Sequence, residues 1–85
     1  MSNEKLSLDG LIFEATNIAL KDYILTITLN RPDKKNAINS VMMNEVNYAL
    51  AYAKQERKIR VVIIDAEGDI FCAGADLSNS KSESN

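Results

Sequence analysis

The sequence predicts an α/β fold with an amino-terminal β-hairpin and one β-α-β unit, and three patterns support that prediction. Residues 23–30 alternate between two faces and are mostly β-branched or aromatic, which is typical of a strand. Residues 40–58 repeat apolar side chains at helical spacing and contain neither Gly nor Pro. The centre of residues 60–66 is apolar on both faces, which indicates a central parallel strand covered from both sides.

The hairpin is predicted from the residues that precede the second strand. Residues 11–20 alternate imperfectly and favour a first strand, which Lys21-Asp22 would connect to the second. Pro32 has no amide hydrogen to donate, so the second strand should end before it. A polar loop then leads to the helix.

The helix should begin and end at polar residues. The hydroxyl of Ser40 can accept a hydrogen bond from an amide of the first turn, which makes this residue the expected N-cap. Lys54, Arg57 and Lys58 fall in the expected last turn, where positive charge complements the helix dipole. With its two flanking strands the helix would form a right-handed crossover.

The 85 residues are enough for one small domain at most. Three segments are expected: a flexible leader over residues 1–10, a folded part over residues 11–77, and a disordered tail rich in Ser and Asn over residues 78–85. One helix can cover only one face of the strand over residues 60–66, and residues 67–85 offer no second layer. Either another chain supplies that layer or the sequence is a truncated part of a longer protein, and truncation is the preferred interpretation.

The composition is that of a soluble globular protein, with 46% hydrophobic residues, 26% charged residues and a formal net charge of −2. The longest apolar run, residues 61–64, is too short to cross a membrane. The chain has no His, which excludes Ser-His-Asp and Cys-His nucleophilic sites and nearly all zinc sites. The single Cys72 excludes an internal disulfide and fits a reducing compartment, so a cytoplasmic protein is expected.

A basic cluster near the end of the helix is the feature that nucleic acid could contact. Its members are Lys54, Arg57, Lys58 and Arg60. Because the net charge is negative and no aromatic residues interleave with the cluster, no nucleic-acid partner is expected. A solvated helix end is the ordinary interpretation.

The candidate site is the loop over residues 67–77, which follows the last predicted strand. Ligand sites in open α/β sheets lie beyond the carboxyl ends of parallel strands. Residues 72–75 have small side chains, so backbone amides can approach a ligand, and Gly74 tolerates the dihedral angles that aim successive amides at one point. Such amides could bind a carbonyl oxygen that gains negative charge during a reaction. Taken alone, the loop fits a tight turn as well.

Two motifs connect this loop with the residues that follow the second strand. They comprise Ile27 to Pro32 with Asn36 to Asn39, and Phe71 to Leu77. In order, spacing and intervening elements, the region from about Glu14 to Leu77 resembles the crotonase family of enoyl-CoA hydratases and isomerases. The resemblance implies the truncated amino-terminal part of a spiral of β-β-α turns, from a parent protein assembled as a homotrimer or homohexamer.

The resemblance also implies a binding site for an acyl-CoA thioester. The backbone amide of Ala75 would be one of two oxyanion-hole donors to the thioester carbonyl, and Ala73 would lie near the adenine. The residues at positions of the family's acyl-CoA site are Lys35, Asn36, Ala37, Ile38, Ala73, Gly74, Ala75, Asp76 and Leu77. Coenzyme A would enter as part of the substrate, with no permanently bound cofactor and no metal. Lys34 or Lys35 could meet a coenzyme A phosphate, although an exposed loop lysine is usually only solvated.

Several catalytic positions of the family have no counterpart in these 85 residues. The family's second oxyanion donor comes from a Gly-rich segment further downstream, and its catalytic carboxylates lie further downstream too. Glu67 and Asp69 flank the loop but are interpreted as turn and solvent residues, and Asp76 as a residue that holds the loop. Cys72 has neither a His nor an adjacent base, so a small buried thiol is its expected role.

Three hypotheses of function follow. The first is the acyl-CoA-binding amino-terminal portion of an enoyl-CoA hydratase or isomerase of fatty acid metabolism, whose oxyanion hole stabilises a thioester enolate. The second is a catalytically inactive truncated fragment, or an interaction module without acid and base residues, and whether the isolated chain is an enzyme stays open. The third, an unrelated small α/β binding domain, explains the β-α-β unit but not the paired motifs.

Overall fold

The computed structural model describes residues 6–77, in which a helix packs on one face of a three-stranded sheet. The elements in chain order are β1 (Thr16–Lys21), β2 (Ile24–Leu29), α1 (Ser40–Gln55) and β3 (Val61–Ala66). The strand order is β1-β2-β3, with β1 antiparallel and β3 parallel to β2. The predicted hairpin and β-α-β unit are therefore confirmed. The predicted tail over residues 78–85 lies outside the described residues, as does half of the predicted leader.

The hairpin turn differs from the prediction by one residue. Lys21 and Ile24 are paired, so the two-residue connection is Asp22-Tyr23, and both of its φ angles are positive, at 52° and 71°. A turn with two positive φ angles matches the right-handed twist of a hairpin. The Arg60 guanidinium carbon lies 5.9 Å from the centroid of the Tyr23 ring, a cation–π contact that supports this turn.

The first strand is shorter than predicted, because residues 11–15 are not part of it. The amides of Glu14 and Ala15 donate to the carboxylate of Glu45 in α1, at 2.6 and 2.9 Å, and the Thr16 hydroxyl donates to it at 2.8 Å. A side chain of the helix thus satisfies backbone donors that a longer strand would have used. The alternating pattern of residues 11–20 gave no sign of this contact.

The amino-terminal leader contacts the helix where the structure describes it. The amide of Leu6 donates to the side-chain carbonyl of Gln55 at 3.0 Å, and the Tyr48 hydroxyl donates to the carbonyl of Ser7 at 2.8 Å. Leu8 packs against the buried cluster of Leu25, Ile27 and Ala49. Residues 6–8 therefore extend the helical layer of the fold.

The helix is capped one residue earlier than predicted and begins at Ser40. Asn39, not Ser40, is the N-cap, and its side chain accepts a hydrogen bond from the amide of Met42 at 2.9 Å. The helix ends at Gln55 with Glu56 as its C-cap, so the predicted end at residue 58 is wrong and Lys54 is the basic residue of the last turn. Within residues 6–77, no helix is long and apolar enough to cross a lipid bilayer.

We expect Asn39→Ala to lower the free energy of unfolding by about 1 kcal/mol, because it leaves a first-turn amide without its acceptor. Ser40→Ala is the matched control, with an expected change of no more than a few tenths of a kcal/mol. Urea denaturation followed by far-UV circular dichroism measures both. A larger loss for Ser40→Ala would show that the cap is assigned to the wrong residue.

The core lies between α1 and the face of the sheet that α1 covers. The fully buried side chains of β2 are Leu25 and Ile27, each 0% exposed, and Ala49 of the helix contacts this cluster at 0% exposure. A second cluster, around Leu29 and Met42, continues the core toward the carboxyl ends of the strands. This second cluster lies directly beneath the loops that form the candidate site.

The last strand lies at the edge of the sheet in the described part of the chain, so the cover on both sides that its apolar pattern favours is not supplied there. Residues 61–64 are between 37% and 48% exposed. The covered face of the sheet has its buried residues in β2, and α1 packs mainly over β1 and β2. The expectation that nothing in the described chain covers the second face agrees with this exposure.

Candidate functional site

Two loops meet where β2 and β3 end. One spans residues 30–39 and the other residues 67–77, and because β2 and β3 are parallel, both leave the same edge of the sheet. A short parallel bridge joins them: the amide of Ile38 donates to the carbonyl of Gly74 at 2.8 Å, and the amide of Asp76 donates to the carbonyl of Ile38 at 2.7 Å. The two sequence motifs are therefore one structural unit.

Asn36 is the buried polar residue of this unit, with 0% exposure. Its side-chain oxygen accepts from the amide of Arg31 at 2.7 Å, and its side-chain nitrogen donates to the carbonyls of Glu67 and Ile70, both at 2.8 Å. Its φ angle is 56°, a left-handed conformation that Asn tolerates better than most residues. Both side-chain N–H donors and one of the two lone pairs of the side-chain oxygen are thus used within the protein.

Arg31 connects the two loops at a second point. One guanidinium nitrogen lies 3.1 Å from a carboxylate oxygen of Asp76, and the other donates a short hydrogen bond to the carbonyl of Ala37. Both side chains of the ion pair are only 16% exposed, so solvent screens the pair less than it would at the surface. This geometry agrees with the interpretation of Asp76 as a residue that holds the loop.

The backbone amide of Ala75 differs from those of residues 73, 74 and 76 in its hydrogen bonding. The amide of Ala73 donates to the carbonyl of Lys35 at 3.0 Å, that of Gly74 to the sulfur of Cys72 at 3.4 Å, and that of Asp76 to Ile38. The amide of Ala75 makes no hydrogen bond with any group of residues 6–77.

The direction of the free amide follows from the bridge. In a parallel bridge, the residue between the two bonded neighbours turns its own N–H and C=O away from the partner strand. Because Gly74 and Asp76 bond to Ile38, the N–H of Ala75 points to the opposite side, and Ala75 is exposed. Gly74, with a φ of 104°, provides a conformation that a residue with a side chain rarely adopts. Among residues 73–76, Ala75 is thus the residue whose amide has no hydrogen-bond acceptor within the described residues.

The loop over residues 35–38 is expected to border coenzyme A, but most of its backbone groups form hydrogen bonds within the protein. The carbonyls of Lys35, Ala37 and Ile38 each accept a hydrogen bond from the second loop or from Arg31. A carbonyl oxygen has a second lone pair, so contact of this loop with a ligand stays a prediction. Lys34 and Lys35 are exposed, as a solvated lysine or a phosphate contact would both require.

An apolar pocket of about 240 Å³ lies between α1, β3 and the second loop. Its lining residues are Leu29, Ile38, Met42, Met43, Val46, Ile64, Phe71 and Cys72. The thiol of Cys72 is free and half-buried among these side chains, which suits a small apolar residue more than a nucleophile. Glu67 and Asp69 are exposed, in agreement with their interpretation as turn residues.

Reasoning from the sequence did not assign roles to the side chains of Arg31 and Asn36 in this arrangement. The partners of Asn36 lie 31 and 34 residues away along the chain, so no local spacing identifies them. The pocket was missed for the same reason, since its lining comes from four separate segments of the chain.

Comparison with known proteins gives one consistent result. A family model described as enoyl-CoA hydratase/isomerase matches residues 20–85. A probable enoyl-CoA hydratase of Mycobacterium leprae (strain TN) is 40% identical over 58 residues, which cover 65% of this chain and 24% of that protein. Enoyl-CoA delta isomerase 2 of Homo sapiens is 39% identical over 67 residues, which cover 79% of this chain and 17% of that protein. The chain thus spans about a quarter of the length of these relatives, or less.

Solved structures show the same similarity. Carnitinyl-CoA hydratase from Mycobacterium avium superposes with a TM-score of 0.78 at 35% identity, over 84% of this chain and 28% of that chain. An enoyl-CoA hydratase from Mycobacterium tuberculosis H37Rv superposes with a TM-score of 0.78 at 33% identity, over 82% of this chain and 32% of that chain. The β-β-α-β arrangement described above is therefore one that these hydratase structures contain.

Proposed function

Since the chain belongs to the enoyl-CoA hydratase/isomerase family, also called the crotonases, we propose that it supplies the acyl-CoA-binding loop of such an enzyme. The amide of Ala75 would donate to the thioester carbonyl as one of two oxyanion-hole donors. The observation that carries this proposal is that the outward-facing amide of Ala75 has no acceptor within residues 6–77, whereas the amides of residues 73, 74 and 76 are engaged.

The reactions of an enoyl thioester explain how a backbone donor at Ala75 would favour catalysis. When a nucleophile adds to the alkene of a 2-enoyl thioester, or a proton leaves the α-carbon, negative charge accumulates on the carbonyl oxygen. A backbone donor that is already fixed in place stabilises this charge without reorganising during the reaction. One such donor is typically worth about 3–4 kcal/mol of transition-state stabilisation in an enzyme.

The finer parts of the proposal come from the family. Coenzyme A would be carried by the substrate, and no other cofactor or metal would be needed. The parent protein would be a cytoplasmic homotrimer or homohexamer of fatty acid metabolism. Residues 35–38 and 73–77 would border the bound thioester.

The proposal is tested by removing one N–H group. Cys72 allows chemical ligation of residues 1–71 to a synthetic peptide of residues 72–85, in which lactic acid replaces Ala75 and an ester replaces its amide. We expect crotonyl-CoA to bind the unmodified chain weakly, with a Kd above about 1 mM. Loss of one hydrogen bond should weaken binding about tenfold further, as measured by NMR titration.

A matched control is the same replacement at Ala73, whose amide donates to Lys35. That ester removes a contact that holds the loop but leaves the Ala75 amide present, so the carbonyl-dependent shift of the Ala75 amide proton should remain even if the affinity falls. In the unmodified chain, the Ala75 amide proton should shift with crotonyl-CoA but not with a thioether analogue that lacks the carbonyl. Equal shifts with both ligands would refute the proposed donor.

A second candidate function, an interaction module without catalytic activity, is favoured by one observation. The four apolar residues 61–64 of the edge strand are more than a third exposed. Exposed, flat apolar edge strands promote association with other chains. The two candidates differ in ligand binding, because only the first predicts a carbonyl-dependent shift of the Ala75 amide proton with crotonyl-CoA.

A further inference from the structure

The turn that follows β3 is fixed by a single buried side chain. The carbonyls of Glu67 and Ile70 lie at the two ends of this turn, and both accept hydrogen bonds from the side-chain nitrogen of Asn36. Between them, Gly68 has a φ of 87°, and a Cβ at this position would lie 3.0 Å from the Cβ of Pro32. The start of the second loop is therefore packed against the first and hydrogen-bonded to it.

The end of the same loop is fixed by backbone groups and by one ion pair. Ala73 donates to Lys35, Asp76 donates to Ile38, and the carboxylate of Asp76 pairs with Arg31. Ala75 lies within this second set of contacts. The direction of its N–H thus depends on both ends of the loop remaining in register with residues 31–38.

Few residue types could replace Asn36. The position needs a left-handed backbone, one acceptor for the amide of Arg31 and two donors for two carbonyls, all without exposure to solvent. Asp tolerates the backbone and retains an acceptor, but an ionised carboxylate has no donor. Gly tolerates the backbone and offers neither.

We propose that Asn36 is a positioning residue for the oxyanion donor. Its carboxamide holds the turn over residues 67–70 to the first loop, and this attachment fixes the N–H of Ala75 in the direction of an acyl thioester. The inference rests on the proposed function for its ligand. It assigns to Asn36 an action through the second loop, in place of the direct contact with coenzyme A that the family resemblance implies.

The test compares three variants of the 85-residue chain by amide hydrogen exchange without any ligand. Asn36→Asp removes both donors, Asn36→Gly removes the whole side chain, and Asn47→Asp is the control, because Asn47 is exposed on α1. We expect Asn36→Asp to speed exchange of the Ala73 and Asp76 amides about tenfold, since the loop opens locally. Exchange of the helix amides should match that of Asn47→Asp.

A ligand titration then separates positioning from simple attachment. With Asn36→Asp, the shift of the Ala75 amide proton on adding crotonyl-CoA should fall and the apparent Kd should rise about tenfold. Residual dipolar couplings of the Ala75 N–H should also change, although the couplings of α1 stay the same. A role limited to global stability would instead speed exchange in helix and loop alike.

The outcomes distinguish the two proposals. If the unmodified chain shows no carbonyl-dependent shift at Ala75, the proposed function fails, while the exchange experiment still decides whether Asn36 fixes the loop. If the loop amides of Asn36→Asp exchange like those of Asn47→Asp, the inference is wrong. If Asn36→Asp does not fold, Asn36→Gly replaces it, and loss of helix protection in both variants also overturns the inference.

Discussion

Replacement of Ile27 by Ala is expected to lower the free energy of unfolding by about 2–5 kcal/mol, because its side chain is fully buried at the centre of the sheet. A chain of 85 residues has a total stability on the order of 4–13 kcal/mol. The loss is therefore a large part of the whole. Ile27→Val should cost only about 0.5–1.5 kcal/mol, since it removes one methylene group.

Ile63→Ala is the matched control for this prediction. Ile63 lies in the neighbouring strand on the opposite face of the sheet and is 42% exposed. Its replacement should cost less than about 1 kcal/mol. Thermal and urea unfolding of the two variants, followed by circular dichroism, provides the comparison.

The control also reports on the uncovered face in solution. If Ile63→Ala costs as much as Ile27→Ala, the face that contains Ile63 must be covered, by a second copy or another layer. A dependence of the Ile63→Ala effect on protein concentration would identify self-association as the cause. Equal losses without that dependence would contradict the arrangement of the core.

Most of the fold follows from side-chain patterns that local sequence contains. The alternation over residues 23–30 and the helical spacing over residues 40–58 each required one uninterrupted element, and each is present. The crotonase-like fold implied by the paired motifs is confirmed by the family match and by the superposed hydratase structures. The alternation and the helical spacing predict their elements correctly, because each pattern depends on which face of a single element is buried.

The predicted ends of the strand and of the helix were wrong where another residue competes for the same backbone group. Asn39 takes the cap that Ser40 could have provided, and Glu45 takes the amides that would have extended β1 toward residue 11. The apolar pattern of residues 60–66 predicted cover on both sides, yet the described chain provides no strand beyond β3. A pattern records the environment that a segment favours, and it does not show that the environment is present.

The candidate site, like the fold, contains one part that the sequence predicted and one part that it did not. Ala75 was selected through the resemblance, and the structure adds that its amide is the unengaged one among residues 73–76 of the described chain. The parts played by Arg31 and Asn36 depend on contacts between segments 31 to 45 residues apart, which only the folded chain brings together. Their roles were therefore beyond reasoning from spacing.

The 85-residue polypeptide is expected to hydrate crotonyl-CoA at no detectable rate above the uncatalysed reaction. General acid–base catalysis typically contributes about 10²–10⁴-fold to a rate, and each oxyanion donor about 10²–10³-fold. Of the carboxylates in the second loop, those of Glu67 and Asp69 belong to exposed turn residues, and that of Asp76 is paired with Arg31. A single oxyanion donor, without an acid or base positioned beside it in the described residues, would provide only a small part of the required rate enhancement.

The loss of the enoyl thioester absorbance measures this prediction, with an active enoyl-CoA hydratase as the positive control. A double variant, Glu67→Gln with Asp69→Asn, tests whether the two exposed carboxylates contribute to any residual rate, and it should match the unmodified chain. Turnover at enzyme-like rates that disappears in the double variant would make these residues catalytic and would contradict their assignment to the turn. Turnover that persists in the double variant would require an acid or base elsewhere in the chain, and Asp76, released from Arg31, would be the next carboxylate to replace.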